Sequence, residues 1–251
     1  MKHLVALALI TCLGFTPADK VSTRFKAPDG YKLVSAAPGS FGAYLQNLPL
    51  LPVGTHTKTY KGSIAATDQY TAAVVDMSIG KQDLQQCADA VMRLSAEYLY
   101  QKQDYKAISF NFTSGFKCDF VHYANGYRYS NGRWVLKGKK DYSYENFMRY
   151  LTLVFSYAGT LSLEKELKPV TDANSLQAGD VFIKGGSPGH CFIVVGVAEN
   201  VAHKKIFLLA QSFMPAQNIQ VIQNGSPWFT PGQPANIPYG ELVDKRYLRR
   251  F

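Results

Sequence analysis

Charge is scarce in this chain of 251 residues: 18% are Asp, Glu, Lys or Arg, against 47% hydrophobic. Disordered chains need the opposite balance, which excludes disorder as the dominant state. Acidic residues are the rarer sign, 18 against 27 basic, giving a formal charge of +9. The excess is spread out, with only small groups at 137–140 and 245–250. Nucleic-acid binding wants clustered charge, so no nucleic-acid partner is expected. Cysteine is sparse as well. Of four residues, Cys12 lies in the N-terminal stretch, and Cys87, Cys118 and Cys191 follow. An odd number excludes a disulfide framework but allows one bridge plus one free thiol. There is no CxxC or HxxxH spacing, and Cys118 and His122 lack further ligands nearby. Neither a metal nor any other cofactor is expected. No internal repeat is found. Past the first residues no apolar run reaches membrane-spanning length, so no transmembrane span is expected.

What is present begins with MKHLVALALITCLGF, a charged start followed by an apolar core of signal-peptide size. Thr16-Pro17-Ala18 offers a small-residue cleavage site, so residues 1–18 read as a signal peptide and the chain as exported, to the periplasm or cell envelope. A lipid anchor on Cys12 is the alternative, weakened by Thr11, where a smaller residue is usual. Residues 19–251 read as a single α+β domain. Its 16 Tyr and 15 Phe supply core material.

Ser40 is placed to cap a helix over 41–48. Thr57–Tyr60 and Thr71–Met77 read as strands of a hairpin. The run DLQQCADAVMRLSAEYLYQKQ predicts a helix opened by Asp83, with Leu84, Cys87, Ala88, Val91, Leu94 and Tyr98 as a buried stripe. AISFNFT (107–113) alternates as a strand, with Ile108, Phe110 and Phe112 on one face. The aromatic stretch 115–138 covers a sheet or lines a groove. A second helix runs from Tyr144 to Ala158, capped by Ser143 and ended by Gly159. Residues 206–212 form an apolar strand, and from Met214 the proline-rich chain reads as a wrapping loop.

Residues 179–197, GDVFIKGGSPGHCFIVVGV, form the stretch around which the site is read. They predict two strands joined by a glycine-rich turn, Gly185–Gly189. On a period of two, His190, Phe192, Val194 and Gly196 share a face. A histidine at a strand mouth suits a general base. Cys87, near a helix start, meets the dipole and N–H groups that favour a thiolate. The competing readings are a structural histidine and a core cysteine. If the two pair, the geometry calls for hydrogen-bonding reach at a cleft, with both side chains open to solvent. Gln211, the first polar residue at the end of its strand, is the candidate orienter of His190, with Ser212 as the alternative. Gly189 lets backbone approach a ligand closely, and Gln86, or Gln82, is placed to help hold an oxyanion.

Cys, then His, then a polar orienter is the chain order of papain-like thiol hydrolases. The run AGDVF–turn–GHCFIVVGV resembles the histidine hairpin of NlpC/P60 and CHAP-type cell-wall peptidases. That resemblance implies a papain-like antiparallel sheet packed on a helix carrying Cys87, with Cys87 as nucleophile, His190 as base and Gln211 as orienter. The long Cys–His separation makes residues 105–165 an inserted subdomain. Over nearly its whole length the chain also resembles an exported bacterial family, domain of unknown function 4846. The matching stretches are RFKAPDGY, SFGAYLQNLPL, DLQQCADAVMRLSAEYLY, FNFTSGF, VFSYAGTLSLEKEL, GDVFIKGGSPGH and LLAQSFMPAQ. This second resemblance implies secretion and assigns no activity.

Two functions follow as expectations. One is a thiol hydrolase of amide or peptide bonds, with peptidoglycan or a peptide as substrate. The other is a non-catalytic, envelope-associated binding protein on the same fold. The oligomeric state is not legible in the sequence.

Overall fold

In the computed structural model, residues 19–233 and 235–251 are described. The leader and Cys12 lie outside them. The chain enters through a single helical turn, α1 (Val21–Arg24), and a short strand, β1 (Tyr31–Leu33). Ser40 caps α2 (Phe41–Gln46), its Oγ accepting the Ala43 N–H at 3.2 Å. Strand β2 (Thr71–Val74) forms, but Thr57–Tyr60 does not pair with it as a hairpin. That segment makes only isolated bridges, Lys58 with Ile64 and Thr59 with Gln217. Its backbone is satisfied partly by side chains instead: Asp68 Oδ1 accepts the Thr57 N–H at 2.6 Å, and Asn218 Oδ1 the Lys58 N–H at 2.9 Å.

Helix α3 (Cys87–Gln101) begins at Cys87, four residues after the expected Asp83. Asp83 is engaged elsewhere, its Oδ1 accepting the Ala216 N–H at 2.6 Å, so it does not cap. The stripe expected on this helix is also too narrow. Every residue from Cys87 to Glu97 is buried, because the sheet covers one side and an aromatic layer the other. The polar members find partners in that interior: Arg93 pairs with Glu97 at 3.5 Å, and Tyr144 Oη donates to Glu97 at 2.7 Å.

The aromatic layer comes from residues 105–165. Two ribbons, β3 (Ser109–Asn111) with β4 (Lys117–Asp119) and β5 (Tyr127–Ser130) with β6 (Arg133–Leu136), flank the short helix α4 (Phe120–Ala124). Then comes α5 (Tyr144–Tyr157), with Ser143 Oγ accepting the Asn146 N–H. Ile108, Phe110, Phe112, Phe120, Phe147 and Tyr150 from these elements share one core with α3. Gly159 does not merely end α5. It is the N-cap of α6 (Thr160–Glu166), a helix that the sequence pattern does not predict.

The remaining strands are β7 (Lys168–Pro169), β8 (Val181–Lys184), β9 (His190–Asn200), β10 (Lys205–Gln211), β11 (Gln220–Ile222) and β12 (Leu248–Arg250). Their order is β2-β11-β10-β9-β8-β12-β7, with β1 on the far end of β9, and every pairing is antiparallel. The architecture is therefore mixed α and β, built on one large antiparallel sheet. Strand β11 lies in the stretch that reads as a wrapping loop, and β12 in the basic group at 245–250.

Strand β9 is the spine of the sheet and is buried on both faces. Cys191, Ile193 and Val195 face α3, while Phe192 and Val194 face a second core with Phe182, Phe207 and Leu242. The alternation then breaks. A bulge opposite Leu208 and Leu209 shifts the register, so Val197 rather than Gly196 continues the Phe192–Val194 face.

Candidate active site

Three segments distant in sequence meet at one end of the sheet: the N-terminus of α3, the start of β9 and the end of β10. Cys87 is the first residue of α3 and lines a cleft of about 380 Å³. The cleft is walled by Gln86, Asp83, Thr160, Met214 and the Gly186–Gly189 turn, and among the described residues no Lys or Arg lines it. Pocket and sulfur therefore share a helix N-terminus, where unpaired N–H groups favour negative charge.

His190 is tied to Gln211. Ala210 pairs with Ile193, so Gln211 stands across from Phe192, on the side of the sheet carrying His190. The His190 Nε2–H donates to Gln211 Oε1 at 2.8 Å. An amide oxygen only accepts, so Nε2 carries a proton and Nδ1 is the ring nitrogen left free of that bond. Ser212 is turned away, its Oγ donating to the carbonyls of Gln85 and Gln217 at 3.0 and 2.9 Å.

The Cys87 thiol is held far below the ordinary thiol value, at about 5. The largest cause is a hydrogen bond from the Cys191 thiol. A hydrogen bond and the charge of His190 act the same way, as does the Ala88 N–H, and burial opposes them. Cys191 moves the other way, well above its usual range, because it donates to Cys87 and is itself fully buried. The negative charge thus sits on the sulfur that faces the cleft.

The pair is not open to solvent on both sides. Cys87 reaches the cleft with 7% of its surface, but His190 retains only 1%. Tyr239 stacks on the imidazole at 4.8 Å, Phe213 lies at 5.1 Å, and Phe192 meets it edge-on at 4.7 Å. These rings come from the wrapping segment and from the strand itself, and they keep water from the His190–Gln211 hydrogen bond.

Gln86 and Gly189 both line the cleft. Gln86 is the N-cap of α3, and its Nε2 donates to Asp83 Oδ1 at 3.1 Å. Gln82 is exposed and is not part of the cleft wall. Gly189 has a steric role in addition to leaving the backbone open: a Cβ there would lie 2.4 Å from Thr160 Oγ1 and 2.5 Å from the Gly186 carbonyl. Cys118 and His122 do not come together as a ligand pair. Cys118 is sealed in β4, with burial holding its thiol well above the usual range, while His122 in α4 bonds Asp119 at 2.8 Å and stacks on Trp134. Among the described residues, no group of three or more His, Cys, Asp and Glu could hold a metal ion, and Cys87, Cys118 and Cys191 are all free.

Sequence reasoning passed over Asp89, Cys191, Phe213 and Tyr239. Asp89 lines the cleft two residues after Cys87. Its Oδ2 accepts the Gln86 N–H at 3.0 Å, its Oδ1 is buried with no partner among the described residues, and burial raises its carboxyl well above the usual range. The available signal was its place at the third helical position, where an acidic side chain folds back on the N-cap. Cys191 is legible as the second residue of the strand, but its effect on Cys87 depends on which face of β9 meets α3.

A family model described as Domain of unknown function (4846) matches residues 21–242. No curated protein and no solved structure matches the chain.

Proposed function

We propose that this chain, which belongs to the domain of unknown function 4846 family, is an exported thiol hydrolase of amide or peptide bonds with a papain-like arrangement akin to that of NlpC/P60 peptidases. The observation that carries the reading is the convergence of a low-pKa Cys87 at a helix start with a His190 whose Nε2 is fixed by Gln211, all beside a cleft. The Cys87 thiolate attacks the substrate carbonyl. The oxyanion forms over the first turn of α3, where helix N–H groups and Gln86 are placed to hold it. His190 delivers its proton from Nδ1 to the leaving amine, then deprotonates the water that releases the acyl group from sulfur. Gln211 keeps the imidazole in the needed tautomer, and the Tyr239–Phe213 cover protects that bond. This mechanism requires the Nδ1 edge of His190 to meet the leaving amine and the water beside the Cys87 sulfur, while the Nε2 edge stays sealed against Gln211. Peptide cross-links of peptidoglycan are the proposed substrate class, consistent with export.

The burial of His190 is the observation that favours the alternative, a non-catalytic envelope-associated binding protein. One experiment separates the two. The protein is incubated with soluble peptidoglycan fragments and a peptide library, and new amines and carboxylates are identified by mass spectrometry. Wild type is expected to release products and Cys87→Ala to release none while staying folded, since the volume removed is small. Equal product from Cys87→Ala, or none from wild type on either substrate set, favours the binding protein.

A further inference from the structure

A second pocket lies toward the C-terminal end of α3 and shares no lining residue with the Cys87 cleft. It encloses about 270 Å³ between α2, the last turns of α3, β3 and the end of α6. Its walls are largely aromatic. Phe41, Tyr98 and Phe251 meet there, with ring centroids 5.4 Å apart for Phe41 and Tyr98 and 5.7 Å apart for Phe41 and Phe251. One acidic side chain, Glu166, lines the pocket, and among the described residues no Lys, Arg or His does. Glu166 Oε1 accepts the Asn111 N–H at 2.7 Å, which fixes the carboxyl group, while no described residue bonds Oε2. Lys102 lies over the Tyr98 ring, but its ammonium is taken by the Gly39 carbonyl at 3.3 Å, and it does not line the pocket. Burial pushes the Glu166 carboxyl up to about 7, against the Asn111 N–H and the charge of Lys117. A carboxylate in such surroundings is stabilised by a cation, and none of the wall residues supplies one.

We propose that this pocket is a binding site for a small organic ammonium ion with an apolar body. The ammonium donates to Glu166 Oε2, and the body lies among Phe41, Tyr98 and Phe251. Each half of such a ligand meets its match. The carboxylate gives a charge-assisted hydrogen bond. The rings give apolar contact, and their π systems attract the positive charge. Ser95 and Ser109 also line the pocket, and their hydroxyl oxygens can accept the remaining N–H groups of a primary ammonium. A neutral ligand of the same shape leaves the carboxylate unpaired, and an anion faces it with like charge, so the site discriminates by charge.

The pocket is separate from the Cys87 cleft, so the proposal stands if the chain cleaves nothing. Its test is isothermal titration calorimetry of the protein with phenethylammonium, phenethyl alcohol and phenylpropionate, which share a ring and differ in charge. The expected result is binding of the ammonium ion, binding of the alcohol weaker by about tenfold or more, the scale of one hydrogen bond to a charged group, and no binding of the anion. Glu166→Gln keeps an oxygen for the Asn111 N–H. It should bring the ammonium down to the affinity of the alcohol and leave the alcohol unchanged. If that variant fails to fold, Tyr98→Leu, at a partly exposed position, reads the same wall and should weaken the ammonium more than the alcohol. Absence of ammonium binding, equal affinity for ammonium and alcohol, or an ammonium affinity that the folded variant leaves unchanged overturns the proposal.

Discussion

A thiol at about 5 carries negative charge at neutral pH, and in this chain that property comes from three neighbours, with the Cys191 hydrogen bond the largest cause. Cys191 donates a hydrogen bond, His190 adds another together with its charge, and the first turn of α3 contributes the Ala88 N–H. Gln211 touches neither substrate nor sulfur and acts through His190. Gln211→Ala should therefore lower kcat by about 10–100-fold, the usual scale for losing a partner that orients a reacting group, and leave KM nearly unchanged. Gln211→Asn, one methylene shorter, should not restore the rate, whereas Gln211→Glu should move the pH profile by stabilising the imidazolium. A merely structural role for Gln211 would alter neither the kcat–KM split nor the profile. At this scale much was legible: Cys87, His190 and Gln211 can be named from residue type and chain order. Asp89 and Cys191 cannot, since their importance lies in a fold-back onto a helix cap and in the face of a strand that meets that helix.

Among the elements, the hairpin and α3 are the two whose junction makes the site. The turn Gly185–Gly189 is legible from its glycines, but its fit is against α6, a helix that the sequence pattern does not predict. Gly189→Ala would drive a methyl group into Thr160 Oγ1 and the Gly186 and Lys184 carbonyls, and the two carbonyls cannot retreat without shifting the turn. Overpacking of this kind costs about 1–3 kcal/mol. Since His190 is the next residue, turnover should fall by more than the stability loss explains; urea unfolding and kcat measured on the same samples check this. The start of α3 was misplaced for a local reason with a distant origin, because Asp83 spends its carboxylate on the Ala216 backbone, far along the chain. Strands β11 and β12 were missed because three residues between prolines, or three at a basic terminus, carry too little periodicity to signal a strand. Pairing with β2, β10 and β8 makes them strands.

For the whole molecule, the decisive arrangement is a helix buried all round between a large antiparallel sheet and an aromatic layer. Composition foreshadowed the two parts, since the chain is rich in Tyr and Phe and its apolar runs are strand-like. The insertion of charged Arg93 and Glu97 into that interior was not foreshadowed, because pairing of buried charges is decided by tertiary contacts. The acidity of Cys87 is likewise a property of the assembled chain, as residues 87, 190 and 191 meet only when α3 docks on β9. The measurement that tests this most directly is the rate of Cys87 alkylation by iodoacetamide against pH, followed by peptide mass spectrometry in the folded protein and in denaturant. The folded protein should show a midpoint near 5 for Cys87, with Cys118 and Cys191 slow throughout, and the unfolded chain a midpoint near the free-thiol value of about 8.5. A folded-state Cys87 that reacts only above about pH 8, no faster than the unfolded thiol, would contradict the account.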